Sequence, residues 1–116
     1  MDTQECSDPI ASIGQHAAKA SIYLKSLAHE GRLKILCHLI NGEKSVRELE
    51  HLLNARQAAV SQMLARLRDD GLVTTRRSGK TVYYSLADET VQSIISVLYE
   101  RFCLGAKRQE TEAPAY

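Results

Sequence analysis

The stretch SVRELEHLLNARQAAVSQMLARLRDDGLV, residues 45–73, decides the fold. Ser45 followed by Glu48 is a capping box, in which a hydroxyl and a carboxylate satisfy backbone N–H groups that an opening helix leaves unpaired. A helix is therefore expected from Val46, with Val46, Leu49 and Leu53 on its inner face. Asn54 followed by Gln57 repeats the pattern and predicts a second helix, with Val60, Leu64 and Leu67 inward and an end near Gly71. Two short helices joined by a turn of a few residues make a helix-turn-helix.

After Gly71 the pattern turns β-rich. Leu72–Thr75 and Thr81–Leu86, with Ser78-Gly79 between them, predict a hairpin with Arg76, Arg77 and Lys80 at its tip. A final helix is expected from near Asp88 to about Cys103 or Leu104, with Val91, Ile94, Ile95, Leu98 and Phe102 on a wide apolar stripe. Upstream, Leu33, Leu36, Cys37 and Ile40 fall on one face of a helix covering about Gly31–Ile40, stopped by Asn41-Gly42. Another helix covers about Ile10–Leu27. The order α-α-α-α-β-β-α predicts a mainly α winged helix-turn-helix over residues 10–104. The polar ends, 1–9 and 105–116, are expected to be a disordered tail and a flexible tail.

A chain of 116 residues makes one domain, and 44% hydrophobic with 25% charged residues is ordinary for a soluble protein. No run approaches the roughly 18 apolar residues of a membrane helix, so no membrane partner is expected. The first residues lack the basic start and apolar stretch of a secretory signal, so a cytoplasmic protein with reduced cysteines is expected. Cys6, Cys37 and Cys103 are odd in number and widely spaced, so their chemistry is expected to be regulatory rather than structural.

Charge is unevenly placed. From Asn54 to Tyr84 six bases face two acids, a net +4, which leaves −3 on the rest of a chain whose total is +1. Such a basic middle suits a polyanion. Arg56, Gln57, Ser61 and Gln62 lie on the outward face of the second capped helix, near its N-terminus. The DNA major groove admits a helix whose amides read adenine edges and whose hydroxyls reach bases or phosphates. The wing cations then meet backbone phosphates or the minor groove. The same fold also serves as a protein-interaction module, a use the +4 balance argues against. His16, His29 and His51 have no ligand partners at recognisable spacing. There is no Cys-x-x-Cys, and no base stands at fixed spacing from a helix cysteine, so nothing points to an enzyme or a cofactor.

Gln57–Val73 resembles the recognition helix of the ArsR/SmtB family of bacterial repressors, Leu27–Leu36 is similar to that family's second helix, and Gly79-Lys80 with Tyr83-Tyr84 fits its wing. The resemblance covers roughly Ala20 to Phe102. It implies a homodimer that binds operator DNA, an inverted repeat, and leaves it when an inducer arrives. By position the DNA-facing residues are Gln57, Ala58, Ser61 and Gln62, with Arg77 and Lys80 in the wing; many members carry His where Gln62 stands. The stripe of Val91, Ile94, Ile95, Leu98 and Phe102 is wider than one small core needs, and part of it is expected to form a subunit interface with the first helix.

The family's common metal sites are absent. Val46–His51 contains no cysteine, and the last helix, Asp88–Cys103, contains no histidine. Taken alone, Cys37 reads as a small buried hydrophobe. Together, Cys37 and Cys103 resemble the cysteine pair of the persulfide-responsive branch, the SqrR- and BigR-type repressors. That likeness implies a dithiol switch oxidised by reactive sulfur species, with Cys6 a lesser thiol. A sensor of peroxide, arsenite or a soft metal through the same cysteines is the alternative.

Overall fold

The structure, a computed structural model, describes residues 12–104. The expected tails, Ile10 and Cys6 lie outside the described residues. Helix α1 (Ile13–Leu27) buries only its C-terminal end: Ser26 and Leu27 are buried, Tyr23 is half-buried, and residues 13–22 are exposed. Helix α2 (Glu30–His38) opens on His29, whose Nδ1 accepts the Arg32 N–H at 3.3 Å. It tightens into a turn over Leu39–Asn41 and stops at Gly42, whose φ of 135° suits glycine.

Strand β1 (Lys44–Ser45) leads directly into α3 (Val46–Leu53). The capping box forms as the sequence predicts. The Glu48 N–H donates to Ser45 Oγ at 3.1 Å, and the Ser45 N–H donates to Glu48 Oε1 at 2.8 Å. Asn54 departs from expectation. It does not open the next helix; at φ 51° and ψ 50° it ends α3 in the left-handed conformation, which asparagine tolerates better than most residues. Helix α4 (Gln57–Asp69) starts from Arg56 with no side-chain cap. Val60, Leu64 and Leu67 lie on its fully buried face, as predicted.

Strands β2 (Val73–Ser78) and β3 (Thr81–Leu86) form the hairpin, in register from Val73↔Leu86 to Ser78↔Thr81. β1 adds a third strand, Ser45 pairing with Tyr83 and Lys44 with Tyr84, so the sheet order is β1-β3-β2. Two residues carry no readable strand pattern, so this strand is not legible in the sequence. Asp88 caps α5 (Glu89–Tyr99) through its Oδ1, which accepts the Val91 N–H at 2.9 Å. A wider π-helical turn, Glu100–Leu104, continues it.

All helices and the sheet root meet in one core, with Ile35, Leu36, Leu49, Leu64, Leu67 and Ile95 completely enclosed. Leu64→Ala removes a fully buried side chain and is expected to destabilise the protein by about 2–5 kcal/mol. Ser45→Ala, which deletes one cap, is expected to cost about 1 kcal/mol. Denaturant titration of both variants tests this order; equal losses would contradict it.

Candidate nucleic-acid interface and thiol pair

Burying Val60, Leu64 and Leu67 turns the opposite face of α4 to solvent. Arg56, Gln57, Ala58, Ser61 and Gln62 are all exposed there. Gln57 with Ser61, and Ala58 with Gln62, form two neighbouring rows one helical turn long. Ala58 and Ala59 keep the helix slim at that level, which lets its backbone approach another surface. In the wing, Arg77 and Lys80 are exposed and form no ion pair among the described residues.

Arg76 does not join them. Its Nε donates to Glu43 Oε1 at 3.0 Å and its Nη2 to Glu43 Oε2 at 2.5 Å, while its guanidinium lies over the Tyr83 ring, 5.0 Å from the centroid. Those bonds hold the Glu43 carboxyl below the usual carboxylate range. Arg66 is also committed, donating to Asp70 Oδ2 at 2.7 Å beside the helix end. The basic surface left open is therefore narrower than the sequence total of +4 implied.

Cys37 and Cys103 are both free thiols. Cys37, on α2, is half-buried against the core; Cys103, in the turn after α5, is exposed. Burial raises the Cys37 thiol above its ordinary value, and the charge of Cys103 raises it further. Helix α2, which carries Cys37, packs against α5, and Cys103 lies in the turn that continues α5. Among the described residues no three His, Cys, Asp or Glu side chains come together to hold a metal ion.

The apolar stripe of α5 divides. Val91 and Ile95 are enclosed in the subunit's own core, Ile94 and Leu98 are half-buried, and Phe102 is 66% exposed. Val97, 62% exposed, was not anticipated, nor were Tyr99 and Leu104. On α1, Ile13, Ile22 and Leu24 are likewise uncovered.

An open polar recognition helix beside a basic wing defines the winged helix-turn-helix class. Residues 29–75 match the bacterial regulatory proteins of the arsR family. The chain is 46% identical over 89 residues to the transcriptional activator HlyU of Vibrio cholerae, covering 77% of this chain and 82% of that protein. It is 43% identical over 95 residues to the biofilm growth-associated repressor of Agrobacterium fabrum, covering 82% and 81%. The crystal structure of the repressor BigR from Xylella fastidiosa superposes with a TM-score of 0.72 at 36% identity, covering 80% of this chain and 95% of that one. The chain belongs to the ArsR family of bacterial transcriptional regulators, with BigR-type proteins among its relatives.

A raised pKa means less thiolate at neutral pH. Alkylation of Cys37 is therefore expected to keep accelerating beyond the pH at which a free cysteine levels off. Cys103→Ser removes the second cause and moves that profile part of the way down. Peptide mass spectrometry of quenched iodoacetamide reactions across pH reads both effects; a Cys37 profile below that of free cysteine would contradict the burial argument.

Proposed function

We propose that the protein is a homodimeric repressor that leaves its operator when persulfides or polysulfides bridge Cys37 and Cys103 within one subunit. The observation that supports this reading is that an ArsR-family chain carries two free thiols, a half-buried one on α2, which packs against α5, and an exposed one in the turn that continues α5. Arg56, Gln57, Ala58, Ser61 and Gln62 enter the major groove, and Arg77 and Lys80 meet the backbone. Ile13, Ile22 and Leu24 of α1, with Val97 and Phe102 beyond the core-facing side of α5, supply apolar surface for a second copy.

The chemistry balances without a metal. The Cys103 thiolate attacks an inner sulfur of a polysulfide, gains an S–SH unit and expels a shorter hydropolysulfide anion. The Cys37 thiolate attacks the sulfur bonded to Cys103 Sγ and expels hydrosulfide, leaving one sulfur between the two cysteines. The thiolates supply the electrons and the polysulfide is reduced. An inserted sulfur spans a longer gap than a disulfide, which requires Cα atoms within about 7 Å. That difference favours polysulfide over peroxide.

Selection from random duplexes should return an inverted repeat with half-sites about one helical turn apart. Gln57→Ala or Ser61→Ala is expected to cost about 1–3 kcal/mol at the base concerned, relaxing preference there. Lys80→Ala should weaken all sequences alike and lower the salt slope by about 1. The opposite pattern would reverse the helix and wing roles. Cys37→Ser and Cys103→Ser should each bind DNA and ignore polysulfide, while Cys6→Ser still responds. Release of DNA from the polysulfide-treated double Cys37→Ser, Cys103→Ser variant would sink the switch. An intact mass showing a plain disulfide or bound metal as the releasing species would move the assignment to another thiol sensor.

A further inference from the structure

We propose that Arg76 is not a DNA ligand but the residue that sets the angle of the wing, by clamping it to Glu43 at the root of the helix-turn-helix. The proposal rests on the DNA-binding reading above. In the sheet, Arg76 stands opposite Tyr83, and Tyr83 stands opposite Ser45. The Arg76 side chain thus crosses the whole sheet. It leaves β2, lies over the ring of β3, and reaches the carboxylate just before β1.

Position in the ladder gives this contact its consequence. β1 pairs only with Tyr83 and Tyr84. The Arg76–Tyr83 rung is therefore the last one with a third strand beside it. The rungs beyond, Arg77↔Val82 and Ser78↔Thr81, belong to a two-stranded ribbon, which on its own twists freely and holds itself weakly. Arg77 and Lys80 sit on that ribbon. A brace at its base decides where they point. Arginine suits the task because its planar fork grips a carboxylate with two bonds while its face stacks on a ring; lysine does neither. Glu43 and Arg76 are both solvent-accessible, and exposed ion pairs add little stability. The clamp acts on direction, with little effect on the melting temperature.

Glu43→Gln separates the two roles. It removes a negative charge from the DNA-facing end of the molecule, so simple electrostatics predicts tighter binding. The clamp predicts binding about tenfold weaker to the operator selected by the wild-type protein, with the melting temperature nearly unchanged. Arg76→Lys should bind as weakly despite its retained charge, and the swap Glu43→Arg with Arg76→Glu should recover to within about threefold. Arg76→Met should lower the salt slope no further than Glu43→Gln does. Equal or tighter binding by Glu43→Gln, or a slope lowered in Arg76→Met by about 1 more than in Glu43→Gln, would overturn the proposal and make Arg76 a phosphate ligand. Backbone relaxation NMR of Arg77–Val82 in Glu43→Gln needs no DNA. Increased motion there is expected; unchanged motion would overturn the clamp even if the DNA reading itself failed.

Discussion

Ser45 ties the helix-turn-helix to the hairpin wing. Its backbone pairs with Tyr83 in the sheet, while its hydroxyl and N–H close the capping box that starts α3. The residue is buried, and both capping bonds are partly shielded from water. α3 packs against α4, which sets the recognition helix, and the same residue's strand pairing sets the wing. Recognition helix and wing thus hang from one point of the chain.

Helix α2, which carries Cys37, packs against α3, α4 and α5. α2 carries Cys37 and, five residues earlier, Arg32. The Arg32 Nε donates to the Ser26 carbonyl at 2.9 Å and its Nη2 to the Lys25 carbonyl at 3.2 Å, so α2 grips the C-terminal end of α1. Asp70, at the end of α4, is held below the ordinary carboxylate range mainly by its hydrogen bond from Arg66, with the Arg32 charge contributing. Helix α2 thus joins α1, with its exposed Ile13, Ile22 and Leu24, to the end of α4. Coupling of 1–3 kcal/mol between two such arrangements changes affinity about 5- to 150-fold. In the proposed switch the asymmetry of the pair divides the work: the exposed Cys103 meets the inducer, and the half-buried Cys37 resolves it.

The fold was legible because its signals are local. Ser45 with Glu48 marks α3 four residues at a time, and Val60, Leu64 and Leu67 repeat at helical spacing. What was misread depends on contacts distant in sequence. Asn54 suits a helix start and a left-handed helix end equally well, and only the packing of α4 decides between them. β1 is two residues long and exists because Tyr83 lies beside it. Arg76 looked like a wing cation because its partner, Glu43, is 33 residues away. Val91 and Ile95 share a stripe with Phe102, yet the core takes the first two and leaves the third in solvent. In the recognition helix, exposure of Gln57, Ser61 and Gln62 follows directly from the buried face opposite. For the thiols, spacing alone said nothing of proximity.

In the proposed switch, Cys37 and Cys103 close on one another inside a subunit, and this closure releases DNA. Unlabelled and ¹⁵N-labelled subunits, mixed and allowed to exchange, can be treated with polysulfide on operator DNA and separated into bound and released fractions. The account predicts that the released fraction contains the Cys37–Cys103 bridged peptide pair only as all-light or all-heavy species, and that the bound fraction lacks it. Bridged peptides of mixed isotope composition, or a bridge equally abundant on bound protein, would contradict it.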